Sequence, residues 1–358
     1  MEKIRICVLG SGNLGITLAK ILALNAAILP DVENLVQMFV QDELFEGMRL
    51  NAIINSHHVN AKYLPMLDLP ANLVASTDLV ATAKYADIIV FVMPQQCVRE
   101  TCNILLGKIK PNAMAISVVK GFMLTENGEI ELITQAIERF LKIPCAVLVG
   151  VNLASEVTLD NYCEATLGYR DMKHMKLFKD LFSTPKFRVT VIDDADGVEV
   201  CGYLKHIIAF ASGLLDGLEA NENTKSACLQ FGLIEMMRFI DVFYPGCKLS
   251  TFFESCGIAD VMSVSCRSRN RRLGELVVKT GHTVEYLESK LMGGEKVVGP
   301  ITIKAVNTML QQKGLQKKFP LFSMLYKICT NECKPYDLLE CIATMPKTIY
   351  HPTQWFPL

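Results

Sequence analysis

Ile4-Arg5-Ile6-Cys7-Val8-Leu9-Gly10-Ser11-Gly12-Asn13-Leu14-Gly15 is the stretch whose reading decides the fold. Its first six residues are an apolar, β-branched run of strand length. Three glycines at G-x-G-x-x-G spacing follow, and Ile16 to Leu24 then repeats apolar residues at the helical period. A strand that turns through such glycines into a helix is the context a dinucleotide-binding turn requires. Gly10 permits the tight turn, Gly12 lets the backbone approach a pyrophosphate, and Gly15 lets strand and helix pack closely. Free N–H groups at the helix start then face the anion. Gly10, Ser11, Gly12, Asn13, Leu14 and Gly15 are therefore candidate cofactor-binding residues.

Working outward, Leu35 to Val40 reads as a second strand. Asp42, just beyond it, is a candidate for the adenine ribose, and no arginine at the strand end favours NAD over NADP. Asp87 to Met93, Ala113 to Val119, Cys145 to Val151 and Phe187 to Ile192 are further apolar runs, as expected of parallel strands covered on both faces. Polar residues at the carboxyl ends of such strands face the ligand crevice. Lys120 and Asn152 occupy such ends, although each also reads as an ordinary loop residue. From Val198 the period changes to long helical patterns: Val198 to Leu218, then a helix to Val242 with Thr224 as its N-cap, then shorter helices to about Ile342. The expectation is an α/β chain with a Rossmann-type dinucleotide-binding domain over residues 1–194. An all-α substrate domain follows over 195–350, and 351–358 form a tail.

Within the first long helical pattern, Gly202-Tyr203-Leu204-Lys205-His206-Ile207-Ile208-Ala209 sets a lysine in apolar surroundings. A buried ammonium costs several kcal/mol unless it is paired or put to use. Lys205 is thus a candidate general acid, against the plainer alternative of a lysine that snorkels to the surface.

Composition narrows the partners. A net charge of −1 supplies no electrostatic attraction to nucleic acid or to an anionic membrane. No apolar run is read as approaching the roughly 18 or more residues of a membrane span. Met1-Glu2-Lys3-Ile4-Arg5 leads straight into a strand, so no signal peptide is expected. The 13 cysteines are scattered and several fall in strands, which suits free thiols in a reducing cytoplasm better than a disulfide framework. Cys329 and Cys333 stand one helical turn apart, but no second His or Cys pair accompanies them, and no metal is expected.

Several short motifs fall in a telling order: Gly10 to Gly15, Ser117-Val118-Val119-Lys120-Gly121, Leu204-Lys205, Asn223-Thr224-Lys225, Ser255-Cys256-Gly257-Ile258-Ala259-Asp260, Arg269-Asn270-Arg271 and Lys317-Lys318-Phe319-Pro320-Leu321-Phe322. From Lys3 to about Met345 the chain resembles the eukaryotic cytosolic NAD-dependent glycerol-3-phosphate dehydrogenases, most closely the insect members. The resemblance implies hydride transfer between NADH and carbon 2 of dihydroxyacetone phosphate, giving sn-glycerol 3-phosphate, in a cytoplasmic homodimer. It implies Lys205 as general acid/base, with Lys120 close by as a further catalytic and substrate-binding residue and catalytic Asp260 holding a lysine in place. Arg269 would grip the substrate phosphate in its bidentate fork, helped by Asn270, while Asn152 lines the pocket. Cofactor contacts are implied for the glycine turn, Cys97, Arg269, Lys296 and Val298, with Lys296 in a closing loop. From the residues alone, Lys120 and Asp260 read as a structural ion pair, and Arg269 to Arg272 as a solvated basic helix face.

The chain departs from the family pattern near the chemistry. His206 stands in place of an asparagine, Val264 of a threonine, and Arg267-Ser268 of a Gly-Gly pair whose loss is expected to strain any turn needing φ > 0. On the cofactor side, Leu14 replaces a tryptophan, Gln41 an aromatic, Cys97 a phenylalanine and Val298 a glutamine. Each lost aromatic contact is expected to cost on the order of 1 kcal/mol of cofactor binding. These changes raise a second reading, a divergent paralogue that binds or regulates without turnover.

Overall fold

The computed structural model describes residues 2–345 apart from 152–155, 158, 160 and 295. They form two compact units. One comprises the chain up to Lys120 together with Leu132–Ala195, the other Gly121–Glu131 together with the chain from Asp196 on. The sequence reading placed 121–131 in the first domain, and the structure assigns that segment to the second.

The first unit runs β1 (Ile4–Leu9), α1 (Asn13–Ile28), β2 (Val32–Phe39), α2 (Leu50–His57), β3 (Leu73–Ser76), β4 (Ile88–Phe91), α3 (Gln95–Leu105), β5 (Met114–Ser117), α4 (Ile133–Leu141), β6 (Cys145–Val151), β7 (Cys163–Gly168), α5 (Met175–Phe182) and β8 (Phe187–Ile192). The strands make one eight-stranded sheet in the order β3-β2-β1-β4-β5-β6-β7-β8. All neighbouring pairs are parallel except β6 with β7. Neighbours on both sides of β1 follow it by crossover, so chain order reverses there, and ligands bind doubly wound sheets at the strand ends beside such a switch point. Ile88–Phe91 has no exposed residue, which explains its unbroken apolar sequence. β3 and β7 were not foreseen, because their short runs, Leu-Val-Ala-Ser and Cys-Glu-Ala-Thr-Leu-Gly, carry no strong strand period.

The second unit begins with a hairpin, Met123–Leu124 against Ile130–Glu131. It then continues through α6 (Ala195–Gly217), α7 (Glu222–Phe243), α8 (Asp260–Cys266), α9 (Arg269–Thr280), α10 (Val284–Leu291), α11 (Val298–Gln312), α12 (Pro320–Cys329) and α13 (Asp337–Ala343). The hairpin is fastened by an edge-to-face contact of Phe122 with Tyr203, at 5.4 Å, and by Gln312 donating to the Asn127 carbonyl. The N-cap of α7 is Asn221, whose side chain accepts from the Thr224 amide, and not Thr224 as its hydroxyl suggested.

α6 is buried along nearly its whole length. It is also long and apolar enough to cross a membrane, so the expectation that no run approaches that length fails. In the fold, 89% of its most apolar window is buried, the behaviour of a core helix. α9 crosses α6 where both carry glycine. A Cβ on Gly274 would lie 2.3 Å from the Phe210 carbonyl oxygen, and one on Gly213 only 1.8 Å from that of Arg271. Backbones meet at those positions, which fixes the first half of α9 against the C-terminal third of α6.

α12 is capped from a distance. Glu235 of α7, 2% exposed, accepts the amides of Leu321 and Phe322 at 2.8 and 2.9 Å, satisfying two donors of the first turn. Burial pushes its carboxyl up to about 8 despite those two bonds.

Candidate active site

In the first unit, the turn from β1 into α1 faces a cavity of about 570 Å3. Gly10 has φ +126°, and a Cβ there would sit 1.9 Å from the Val92 carbonyl oxygen. On Gly15 it would meet the Gly10 carbonyl oxygen at 2.3 Å, whereas Gly12 has nothing within 4 Å. Two glycines are thus required by neighbouring backbone, and the third leaves an open face for a ligand. That is the cradle a pyrophosphate needs, and the chain's residues fit the dinucleotide. Gly10 to Gly15, Cys97 and Lys120 all line this cavity. Asp42 does not. It is exposed and pairs loosely with Arg49 at 3.7 Å, while Gln41 and Glu43 on either side of it line the wall.

Two aromatic residues, Phe39 and Tyr63, border the same cavity. They share it with Leu14, Gln41 and Cys97, the positions expected to carry aromatics. Sequence reasoning also missed Asn60. It is fully buried, donates to the Ser11 carbonyl at 3.0 Å and accepts from the Tyr63 amide, so it ties the glycine turn to the segment carrying that ring. An asparagine between Val59 and Ala61 in a short turn gives no signal of this in sequence. Asn152 lies outside the described residues.

In the second unit, Lys205 does not snorkel. It is 2% exposed, and its ammonium donates to Oδ2 of Asp260, 3% exposed, in a close ion pair. The carboxylate neutralises a charge that the apolar helix could not otherwise hold. Asp260 owes its aim to the irregular turn before it. Gly257 breaks the helix with φ −94° and ψ −114°, and a Cβ there would lie 2.2 Å from the Phe252 carbonyl oxygen. The Ser255–Ala259 turn is π-helical, a local widening common at functional sites.

Arg269 and Asn270 open α9. Arg269 is exposed and reaches the Met292 carbonyl through Nη2 at 3.2 Å. Arg271 belongs to a separate network with Asp216, which also holds Lys225. The two arginines of the basic run thus hold different partners, Arg269 the Met292 carbonyl and Arg271 the Asp216 carboxylate. Asn270, 5% exposed, accepts from the Gly299 amide at 2.6 Å and bonds His206 Nδ1 through Nδ2 at 3.0 Å. Arg267 and Ser268 sit in extended backbone, φ −151° and −152°, so the strain expected from losing two glycines does not arise. Ser268 instead caps α9, its hydroxyl accepting from the Arg271 amide. Val264 lies one turn after Asp260 on α8, half-buried.

Lys296 is exposed and pairs at 2.8 Å with Glu288, whose other carboxylate oxygen accepts the Val297 amide. Glu288, nearly fully buried, thus fastens the segment leading to Val298 and α11, a role its place in Val284–Leu291 did not announce. The 13 cysteines, all among the described residues, are thiols outside any disulfide. Burial raises the Cys329 thiol to about 12, and among the described residues no three His, Cys, Asp or Glu side chains gather as a metal site.

A dinucleotide cradle on a doubly wound sheet, joined to a helical unit with a buried lysine–carboxylate pair, defines a two-domain nicotinamide-dependent dehydrogenase. Residues 5–175 match the family model for the N-terminus of NAD-dependent glycerol-3-phosphate dehydrogenase, and 194–340 that for its C-terminus. The cytoplasmic NAD(+) glycerol-3-phosphate dehydrogenase of Drosophila melanogaster is 54% identical over 97% of this chain and 95% of its own, and that of Mus musculus 42% over 96% and 98%. Among solved structures, glycerol-3-phosphate dehydrogenase from Plasmodium falciparum superposes with a TM-score of 0.92 at 36% identity, covering 98% of this chain and 97% of its own. The chain belongs to the NAD-dependent glycerol-3-phosphate dehydrogenase family. The alternative of a non-catalytic paralogue finds no support in these relatives, and two of the substitutions that prompted it, Arg267 and Ser268, leave the backbone unstrained.

Proposed function

We propose that the protein interconverts dihydroxyacetone phosphate with NADH and sn-glycerol 3-phosphate with NAD, in the cytoplasm and as a homodimer. The observation that carries the reading is the buried Lys205–Asp260 pair, which holds an ammonium in place on an apolar helix. When bound, the nicotinamide supplies the hydride to carbon 2 of the substrate. Lys205 Nζ gives its proton to the carbonyl oxygen as negative charge develops there, and recovers it from the alcohol in the reverse direction. Asp260 keeps the ammonium oriented and offsets the burial of its charge.

The Arg269 guanidinium offers a fork suited to the substrate phosphate, and it stands in the first turn of α9, where the helix end favours an anion. Asn270 contributes by fixing that turn, since its carbonyl oxygen is committed to Gly299. Gly10 to Gly15 cradle the pyrophosphate, in a cavity that Phe39, Tyr63, Cys97 and Lys120 also line. Arg269, Lys296 and Val298 are the cofactor contacts proposed for the second unit, and Asn152 is proposed for the substrate pocket.

The test is oxidation of NADH by purified protein with dihydroxyacetone phosphate, beside a Lys205→Ala control. Turnover that the substitution lowers by roughly 100-fold or more, the usual contribution of a general acid, supports the assignment. A folded wild-type protein without turnover would sink it.

A further inference from the structure

The hydrogen bonds around Asn270 settle a protonation state. The Gly299 amide can only donate, and it lies 2.6 Å from the side-chain oxygen of Asn270, so the amide group of Asn270 cannot be turned the other way round. Its Nδ2 therefore faces His206 and donates to Nδ1 at 3.0 Å. Nδ1 must then be an unprotonated acceptor, which leaves the proton of a neutral imidazole on Nε2. The arrangement has no slack. Both side chains are buried, at 7% and 5% exposure, and a Cβ on Gly299 would press on Asn270 Oδ1 at 2.6 Å and on the His206 carbonyl at 3.0 Å.

Three helices meet at this one amide: α6 through His206, α9 through Asn270 and α11 through Gly299. The charged groups around it are Lys205, next to His206 on α6 and paired with Asp260 of α8, and Arg269, next to Asn270 on α9. Arg271, also on α9, is tied to Asp216, and the Lys296–Glu288 pair precedes α11. The first turn of α11, Val298-Gly299-Pro300-Ile301, carries no charge. A proton added at Nδ1 would set donor against donor and place one more positive charge next to Lys205.

We propose that His206 is a positioning residue for substrate binding that works only as the neutral Nε2–H tautomer, holding Asn270 and through it the Arg269 end of α9. Protonation of His206 releases that end and weakens the grip on the phosphorylated substrate. The proposal rests on the assignment of Arg269 to the substrate phosphate. An asparagine at 206 can accept the same bond through its side-chain oxygen and does not titrate.

The experiment measures KM for dihydroxyacetone phosphate from pH 8 to pH 6 in the wild type, in His206→Asn and in Arg269→Ala, with KM for NADH as internal control. The substrate phosphate titrates near ~6 and affects every variant alike. The ratio of wild-type to His206→Asn KM is the diagnostic. It is expected to rise severalfold toward acid pH, where a proton at Nδ1 sets donor against donor and the bond to Asn270 is lost. Superimposable KM profiles would overturn the proposal. So would a 15N NMR spectrum at pH 8, assigned by difference from His206→Asn, that shows His206 protonated at Nδ1. Arg269→Ala should raise KM for the substrate at every pH. An unchanged KM there would overturn the substrate assignment and with it the link to binding, whereas the NMR spectrum tests the tautomer independently.

Discussion

Lys205 and Asp260 each place a full charge where almost no water reaches, so neither is tolerable alone. Asp260→Asn keeps the volume and removes the countercharge. The expected outcome is a loss of about 3–5 kcal/mol in urea unfolding, the cost of breaking a buried pair. A fall in kcat with KM for NADH nearly unchanged should accompany it. A variant that loses stability but keeps kcat would show the pair to be structural only. At this scale the sequence was uneven. An ammonium in an apolar run is visible because burial cost makes it improbable, and Asp260 was foreseen only as a partner to some lysine. Asn60 and Glu288 were not legible at all. Each acts by capturing backbone amides or carbonyls distant from it in sequence, and their residue types fit an exposed turn or helix face equally well.

The crossing of α6 and α9 is set by missing side chains. Gly274→Ala would put a methyl group against the Phe210 carbonyl and the Leu214 amide, which are main-chain atoms and cannot swing aside. We expect a loss of about 1–3 kcal/mol from overpacking. KM for dihydroxyacetone phosphate should rise severalfold as Arg269 shifts with its helix, while KM for NADH holds. Equal changes in both constants would argue for general loosening instead. Helix and strand existence was largely readable, because 3.6-residue and continuous apolar patterns report burial directly. Ends were not. Asn221 displaced Thr224 as the cap of α7, and Val32–Phe39 began earlier than the apolar run suggested, since its half-exposed start carries polar residues. The cost expected at Arg267-Ser268 failed for a related reason, because extended backbone accepts any residue and a serine can cap the next helix.

Across the molecule, Glu235 links acidity to stability. Its carboxyl rises from 4.5 to about 8 on folding, so the folded state holds that proton more tightly than the unfolded chain. The stabilisation is complete below 4.5 and disappears as pH climbs toward about 8. Urea midpoints of the wild type should therefore decline across this window more steeply than those of Glu235→Gln, and parallel slopes would refute the linkage. The reversal of strand order beside β1 was anticipated in kind, since a strand–glycine–helix opening implies a doubly wound sheet. The allocation of residues 121–131 was not, because a short hairpin carries no mark of the unit it will join. That allocation bears on biosynthesis. The ribosome delivers Phe122 long before Tyr203, and the strands and helices of Leu132–Ala195 emerge between them. The hairpin must wait as a tethered loop until Tyr203 has been made, and a fragment begun at residue 195 would be born without the piece that packs on Tyr203.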